Sequence, residues 1–290
     1  MLYNELRAFH AVASLGSFTA AADALAVTQP TMSNQVKALE ERYGVVLLER
    51  SWRKVEPTDL GAQLLDLCRR ILALQDEAEE LLSSHAKLQQ GRLRLGSDSP
   101  ITTVPMMARY NGQYPGIRLS LSVGNLETLI EALFAFDIDL AVVANIEPDR
   151  RLKTMAIRRD PVTFFVGAAH RWAGQGPRPI AALADETLVL REPGSMSRQA
   201  IERAMARQGI TPKSVIEVTS REASREVAAL GLGIGVMSAA DFVPEPRLVR
   251  VPIADASPDI ELTEYLVCLA DRAERRLIRS FLEMMRSPQK

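Results

Sequence analysis

Residues that build catalytic or metal centres are scarce in this chain. It has two cysteines, Cys68 and Cys268, and three histidines, too few and too scattered for a metal site or a disulfide framework. We expect both cysteines to be packing residues. His10, His85 and His170 are not accompanied by a recognisable nucleophile motif, and no phosphate-binding glycine motif opens a predicted helix. These shortages argue against an enzyme, a nucleotide-binding protein, a metal site and a bound cofactor.

Long apolar runs and an excess of charge are missing as well. Gly, Pro or a charged residue interrupts the apolar stretches within about ten residues, whereas a membrane-spanning helix needs about 20. The first residues, MLYNELRAFH, contain no basic segment leading into an apolar one. We therefore predict no secretory signal, no membrane association and a cytoplasmic location. The net charge is −1, so any contact with nucleic acid must depend on where the charges lie.

The chain is 290 residues long, enough for two or more domains. Helical spacing predicts a first helix from Leu2 to Leu15, ended by Gly16, and a second from Phe18 to Leu25. Thr28 is predicted to be the N-cap of a third helix, with Pro30 in its first turn. One buried stripe is predicted along this third helix: Met32, Val36, Leu39 and Tyr43.

The other face of the third helix carries short hydrogen-bonding side chains and one cation. Such a surface can meet base edges and phosphates in a major groove, although a solvated polar face is the alternative. The next segment, residues 46–58, reads as a hairpin with Arg50, Arg53 and Lys54 clustered around Trp52. A basic hairpin after a helix-turn-helix is typical of a wing that reaches the DNA backbone or minor groove.

The run LRAFHAVASLGSFTAAADALAVTQPTMSNQVKALEERYGVVLLER resembles the winged helix-turn-helix of LysR-type transcriptional regulators. The resemblance covers the whole chain. It implies binding to double-stranded DNA, assembly into a homotetramer and contact with RNA polymerase. Two tethered DNA-binding heads would gain avidity for two half-sites, which predicts a partly palindromic operator. The DNA contacts that the resemblance implies are Gln29, Pro30, Thr31, Ser33, Asn34 and Lys37 in the recognition helix, with Arg50, Arg53 and Lys54 in the wing.

A long helix without proline is predicted from Thr58 to about Gln89. Leucine recurs every seven residues at Leu60, Leu67, Leu74, Leu81 and Leu88, and Leu64, Ile71, Ala78 and His85 fill the second seam position. This is a coiled-coil pattern, which predicts a homodimer through this helix, whereas a helix lying on its own protein is the alternative. The pattern leaves parallel and antiparallel pairing both open.

From Gly91 onward, short apolar strands alternate with amphipathic helices, which predicts mostly parallel sheets covered by helices. Strands are predicted at 91–97, 117–123, 139–144, 162–168, 187–192 and 233–237, and helices near 102–113, 125–136, 196–208 and 221–231. Three segments at the expected strand ends are rich in small hydrogen-bond donors: SDSPITT (97–103), GSMSR (194–198) and TSRE (219–222). Each could be ordinary helix capping, but together they favour one polar pocket for a small acid.

The LysR-type resemblance implies an α/β effector domain of the periplasmic-binding-protein kind, with two lobes and the chain crossing twice. We place the crossings near Asp160 to Pro161 and near Glu264 to Tyr265. The implied effector contacts are Ser97, Ser99, Thr102 and Thr103 from the first lobe and Ser195, Ser197, Arg198, Ser220 and Arg221 from the second.

The segments REPGSMSRQAIE, TSREASREVAALGLGIGV and EYLVCLADR resemble the subgroup associated with 2-aminoethylphosphonate catabolism. Asp98 would then pair with the amine of that effector. An unrelated small carboxylate or an inorganic anion is the alternative effector.

The predicted organisation is a DNA-binding domain at 1–58, a linker helix at 59–90 and an effector domain at 91–290. Within the effector domain, lobe I comprises 91–160 and 265–290, and lobe II comprises 161–264. A secreted solute-binding protein is the remaining alternative for that architecture, but it would have a signal sequence and no DNA-binding head.

Overall fold

The computed structural model describes residues 2–50, 54–82, 91–254 and 260–286. The described residues form two compact units, one built mainly of residues up to position 82 and one of residues from position 91. No helix in the described ranges is long and apolar enough to span a membrane.

The first unit begins with three helices, at the bounds that the periodicity predicts for the first two. These are α1 (Leu2–Leu15), α2 (Phe18–Leu25) and α3 (Gln29–Tyr43). Gly16 follows α1 with φ +65°, a left-handed conformation that glycine adopts without strain. A two-stranded antiparallel hairpin follows, β1 (Leu48–Arg50) with β2 (Val55–Pro57), and then the long helix α4 (Asp59–Leu82).

One hydrophobic core holds this unit together. Phe9, Val12, Met32 and Val36 are fully buried in it, and Cys68 of α4 packs against the same cluster. Cys268 is buried in the second unit, and both thiols are unpaired, so the prediction that the cysteines are packing residues is confirmed.

The second unit is a nine-stranded sheet with helices on its faces. The strand order is β4-β3-β5-β11-β6-β9-β7-β8, with β10 also paired to β6. Its strands are β3 (Gly91–Ser97), β4 (Ile117–Val123), β5 (Leu140–Ala144), β6 (Leu152–Gly167), β7 (Thr187–Leu190), β8 (Ser214–Glu217), β9 (Ile234–Ser238), β10 (Leu248–Pro252) and β11 (Glu261–Leu269). Its helices are α5 (Pro100–Gln113), α6 (Leu126–Phe134), α7 (Met196–Gln208), α8 (Arg221–Ala229) and α9 (Arg276–Arg286).

Two separate hydrophobic cores divide this unit into lobes. Tyr110 and Phe281 belong to the core of the first lobe, with ring centroids 5.0 Å apart. Phe164 and Trp172 belong to the core of the second, with ring centroids 5.7 Å apart. Each lobe therefore has its own apolar interior, and polar side chains remain for the cleft between them.

The chain passes between the lobes on β6 and β11. Residues Leu152 to Pro161 of β6 pair with β11, whereas Val162 to Phe165 pair with β9. On β11, Leu262 packs in the second core and Leu266 in the first. The register of the β11–β6 pair shifts between Glu264 and Tyr265.

The expectation of mostly parallel sheets is wrong. Parallel pairs join β3 to β4 and β5, and β7 to β8 and β9, whereas every pair that involves β6 or β11 is antiparallel. The physical reason lies in the two crossings, since a strand that leaves a lobe and a strand that returns to it run in opposite directions.

Candidate DNA-binding and effector-binding sites

The start of α3 is organised by its N-cap, as predicted. The Thr28 hydroxyl accepts the backbone N–H of Thr31 at 3.4 Å and lies 2.8 Å from the Thr31 hydroxyl. Pro30 occupies the first turn, where its missing N–H leaves no intrahelical bond unmade. The cap and Pro30 therefore fix the first turn of α3, from which its polar face starts.

The predicted recognition side chains lie at the surface of this unit. Gln29, Pro30, Thr31, Asn34 and Lys37 are exposed and Ser33 is partly buried. Lys37 Nζ lies 3.3 Å from Glu41 Oε1, and both side chains are 65% exposed. An ion pair so open to water is weak, so Lys37 remains able to contact a phosphate.

The buried stripe on α3 is shorter than predicted. Met32, Val36 and Leu39 are buried, but Tyr43 is 58% exposed. The helix ends at Tyr43, and Gly44 then takes a left-handed conformation with φ +63° that turns the chain away. The inclusion of Tyr43 in the buried stripe was therefore wrong.

The hairpin expected as a wing is present. Leu48 lies opposite Pro57 and Arg50 opposite Val55. Lys54 is exposed and its Nζ lies 2.6 Å from Glu56 Oε1. The other two basic wing residues cannot be placed in the same way, since Arg53 and the Arg50 side chain lie outside what is described.

Helix α4 presents part of its predicted seam to solvent. Leu60, Leu67, Ile71 and Leu74 are between 41% and 64% exposed. On the other side of the helix, Leu65 and Cys68 pack into the core of the first unit, and the seam residue Leu64 is partly buried against the same core. The rest of the seam, from Leu81 onward and including His85 and Leu88, lies outside the described side chains. A large apolar stripe at the surface is typical of an interface.

In the second unit, the cleft between the lobes contains a small inner cavity and a wider outer cleft. Their volumes are about 30 Å³ and about 770 Å³. Six residues line both spaces: Asp98, Asn125, Arg191, Glu192, Arg221 and Asp241. The inner cavity is the size of one or two water molecules, so a larger ligand would extend across this shared rim into the outer cleft.

Direct contacts hold the two lobes together around the rim. Ser99 of the first lobe donates its hydroxyl to Asp241 Oδ1 of the second at 2.5 Å. Arg221 pairs with Asp241 and also donates to the backbone carbonyl of Asp98. A Cβ added to Gly194 of the second lobe would lie 2.5 Å from Asn125 Nδ2 of the first, so the lobes approach closely here.

The crossing strands bring a second charged group to the cavity. Glu264 of β11 lines it, and Glu264 Oε2 accepts from Arg158 Nη2 at 3.1 Å. Thr102 donates to Glu264 Oε1 at 3.2 Å, and Arg158 also pairs with Asp160. Burial raises the pKa of Glu264 to about 7, against the opposing effect of the Arg158 charge.

Asp98 lies at the end of β3, partly buried at the rim. Its Oδ2 accepts the backbone N–H of Ala144 at 2.9 Å. Burial raises the pKa of Asp98 to about 6, although the Ala144 N–H and the nearby Arg221 charge act in the opposite direction. A carboxyl group with a pKa near neutrality beside two arginines is typical of a binding site.

The N-terminus of α7 also opens into the inner cavity. Ser195 and Ser197 line it, are buried, and have hydroxyl oxygens 3.1 Å apart. Ser195 stands at the N-cap position but its side chain makes no capping bond. The partial positive charge of a helix N-terminus favours an anion.

The structure does not bring all predicted effector residues to the cavity. Arg198 donates to Glu202, to Glu217 and to the Arg191 carbonyl, and it lines neither space. One turn into α7, its side chain reaches the acidic residues of its own helix and of β8 instead of the cleft. Its assignment to the pocket is corrected on these contacts.

The other predicted residues fall into two groups. Ser99, Ser195 and Ser197 line the inner cavity, Ser220 lines the outer cleft, and Arg221 lines both. The remaining three line neither space. Ser97 and Thr103 are buried, with hydroxyl oxygens 2.6 Å apart, and Thr102 donates a hydrogen bond to Glu264.

Several lining residues escaped the sequence analysis. Arg191 directly follows β7, and Asn125 lies two residues after the end of β4, so the rule that ligands bind at strand carboxyl ends should have marked both. Ser238 closes β9 in the same way. No local sequence pattern marks Asp241 and Glu264 as pocket residues, because they reach the rim only when both lobes have folded. Within the described ranges, no cluster of His, Cys, Asp and Glu has the arrangement of a metal site.

Comparison with known proteins matches both units. The model of the bacterial regulatory helix-turn-helix protein, lysR family, covers residues 3–62, and that of the LysR substrate binding domain covers residues 86–289. The RuBisCO operon transcriptional regulator of Allochromatium vinosum is 34% identical over 236 residues, which are 81% of this chain and 78% of that protein.

Solved structures with similar folds include full-length regulators. Full-length CbnR complexed with its target DNA superposes with a TM-score of 0.72 at 23% identity, covering 99% of each chain. The regulatory domain of Synechocystis PCC6803 CcmR, in complex with 2-PG, has a TM-score of 0.60 at 28% identity. It covers 68% of this chain and 96% of that one.

Proposed function

This chain belongs to the LysR family of DNA-binding transcriptional regulators, which are not enzymes, and we propose that a small organic anion bound between its lobes controls its operator complex. The observation that carries the proposal is the rim shared by the inner cavity and the outer cleft. There Arg191 and Arg221 present two guanidinium groups to a space beside the N-terminus of α7. Guanidinium groups bind carboxylates and phosphates in bidentate fashion.

Both arginines are held by carboxylates that a ligand would have to displace or share. Arg191 Nη2 lies 2.5 Å from Glu192 Oε1, and Arg221 pairs with Asp241. Since Arg221 also reaches the Asp98 carbonyl across the cleft, an anion that binds Arg221 changes a contact between the lobes. Binding and lobe geometry are thereby coupled.

Two phosphorus-containing anions are the leading effector candidates. The subgroup resemblance points to 2-aminoethylphosphonate, whereas the CcmR regulatory domain was solved with 2-PG, that is, 2-phosphoglycolate. A carboxylate or an inorganic anion remains the alternative. The RuBisCO operon regulator supports the family and a role in operon control, but its name specifies no effector.

For the DNA-binding unit, we propose that α3 contacts base edges through Gln29, Pro30, Thr31, Ser33, Asn34 and Lys37, and that Arg50, Arg53 and Lys54 of the hairpin contact the backbone. We further propose dimerisation through α4 and assembly into a homotetramer on a partly palindromic operator. We also propose that the protein contacts RNA polymerase and that it is located in the cytoplasm, where the operators are. The exposed residues of α3 and the leucine seam of α4 support it.

Arg221→Gln tests the effector proposal. Isothermal titration of the full chain with 2-aminoethylphosphonate and 2-phosphoglycolate should show an affinity about tenfold or more lower than wild type, because a hydrogen-bonded charge pair contributes about 1.5–3 kcal/mol. Arg247→Gln is the matched control, since Arg247 pairs with Glu226 at the surface and lines neither space. Equal affinities for Arg221→Gln and wild type would contradict an anion site at this rim.

A further inference from the structure

The inner cavity is lined by more carboxylates than guanidinium groups. Its lining contains four carboxylates, Asp98, Glu192, Asp241 and Glu264, but only two guanidinium groups, Arg191 and Arg221. A site built only for an anion would be expected to show the opposite excess. The cavity therefore has carboxylate charge available for a cationic group.

Three of the four carboxylates already have cationic partners. Glu192 pairs with Arg191, Asp241 with Arg221, and Glu264 with Arg158. Asp98 has no ion-pair partner among the described residues, because Arg221 donates to the Asp98 backbone carbonyl and not to the carboxylate. Asp98 is thus the carboxylate left for a ligand.

The Asp98 carboxylate is half satisfied. One oxygen accepts the Ala144 N–H at 2.9 Å, which fixes the side chain at the end of β3. Burial raises its pKa to about 6 despite the nearby charges of Arg221 and Arg191, so the ionised form would be stabilised by a further positive charge in direct contact with it. An ammonium group beside it would supply that charge.

A second acceptor faces the same space. Ser238, at the end of β9, is 5% exposed and lines the inner cavity. Its hydroxyl has no hydrogen-bond partner within the described part of the chain. Buried hydroxyl groups are normally bonded, so an unpartnered one on a residue that lines a cavity is available to accept a hydrogen bond from a ligand.

We propose that Asp98 and Ser238 form a binding site for the ammonium group of a zwitterionic effector, whose oxyanion is held by Arg191 and Arg221. This inference rests on the proposed function, because it takes the same cleft to be the effector site. Ser238 lines only the inner cavity, whereas Asp98, Arg191 and Arg221 line both spaces. The ammonium group therefore lies on the Ser238 side of Asp98, and the bulkier oxyanion lies at the rim beside the outer cleft. The effector is then an amino-phosphonate or amino acid of short chain length.

A pair of probes that differ only in the amine tests the ammonium site. Full-length protein is titrated calorimetrically with 2-aminoethylphosphonate and with ethylphosphonate. Wild type should bind the first about tenfold or more tightly than the second, since a hydrogen bond to a charged group contributes about 1.5–3 kcal/mol. 2-Phosphoglycolate, which would place a second anion beside Asp98, should also bind more weakly than 2-aminoethylphosphonate.

Two variants test whether Asp98 and Ser238 cause the preference for the amine. Asp98→Asn keeps an acceptor for Ala144 but removes the charge, and should abolish the preference for the amine while affinity for ethylphosphonate changes by less than about threefold. Ser238→Ala should reduce the preference by a smaller factor. Asp185→Asn is the matched control, an exposed residue outside both spaces, and should keep the wild-type preference.

The outcomes separate this inference from the proposed function. Equal affinity of wild type for the two phosphonates would overturn the ammonium site while the anion site survives. A preference for the amine that persists in Asp98→Asn would remove Asp98 from the site. Failure of every anion to bind wild type would overturn the proposed effector site and the ammonium site together.

Discussion

At the scale of single residues, the charged side chains of the cleft are the feature most sensitive to conditions. Glu264 is 4% exposed and shares Arg158 with Asp160. Its pKa in the folded protein is about 7, against an ordinary value of 4.5. The folded state consequently binds more protons than the unfolded state between these two values, so stability is lost as pH rises through that window.

Glu264→Gln should remove this contribution. Between about pH 4.5 and pH 7 the melting temperature of the wild type should fall more steeply with pH than that of the variant. Above pH 7 the variant should be more stable by on the order of 2 kcal/mol, because the neutral amide of the substituted side chain needs no buried charge. Thermal unfolding of the full chain across pH 4.5 to 8.5 measures the difference.

Glu261→Gln is the control on the same strand, where Glu261 is exposed and lies 4.0 Å from Arg159. It should leave the pH profile unchanged. Parallel profiles for Glu264→Gln and wild type would show that Glu264 is ionised in the folded protein at ordinary pH.

Local rules in the sequence pointed to some of the residues that line the cleft, and their contact with an effector stays a prediction. Ser99, Ser195 and Arg221 were found from short donor-rich segments at strand ends, and all of them line the cleft. Arg198 sits in the same kind of segment, but the sequence does not show that Glu202 and Glu217 lie within its reach. Asp241 and Glu264 depend on the packing of distant elements, so no local pattern marks them.

At the scale of elements, caps and helical periodicity predicted the first unit closely. The bounds of α1 and α2 match the expectation, and Thr28 caps α3 as predicted. In the second unit β8, β10, β11 and α9 were missed. The first half of β6 was missed as well, because Lys153, Arg158 and Asp160 give it a polar composition. Its strand structure comes from pairing with β11 along its length, which is a tertiary effect.

Ser33→Ala combined with Asn34→Ala tests α3 as the recognition element. Neither residue is buried, so the fold should persist while discrimination between selected and random duplexes falls about 30-fold or more, as expected for the loss of two base contacts worth about 1–3 kcal/mol each. Fluorescence anisotropy with both duplexes measures this ratio.

Effector binding by this double variant should equal that of wild type, and Ser14→Ala, which removes an exposed hydroxyl from α1, should leave discrimination intact. If DNA discrimination and effector binding fail together, the division of labour between the two units is wrong.

Leu67→Glu combined with Leu74→Glu tests the seam of α4. Both side chains are more than half exposed, so the substitutions should not disturb the core of the DNA-binding unit. They place charges in the proposed coiled-coil interface, and sedimentation equilibrium should show a smaller assembly than for wild type. A footprint that shrinks to one half-site should accompany the change.

Ala62→Glu adds the same charge at an exposed position outside the seam and should retain the wild-type mass. An unchanged mass for the double variant would mean that α4 does not mediate assembly through this face.

At the scale of the whole molecule, one chain combines DNA binding with recognition of a small ligand. Arg221, Asp241, Ser99 and Asp98 link the two lobes of the effector unit, so we expect a ligand at the rim to change the contacts between the lobes. A ligand can shift a conformational equilibrium only by its differential affinity for the two states, and such coupling is typically about 1–3 kcal/mol. The effector strengthens operator binding if the DNA and the effector prefer the same conformational state, and weakens it if they prefer different states.

The most direct test of the central claim is the operator affinity of the full-length protein with and without effector. A duplex is first selected from a random library, and its binding is followed by anisotropy and footprinting at saturating 2-aminoethylphosphonate. The account predicts an affinity change of about 5- to 150-fold, or a changed footprint, with both effects lost in Arg221→Gln. Identical DNA affinity and footprint under conditions where calorimetry shows the effector bound would contradict it.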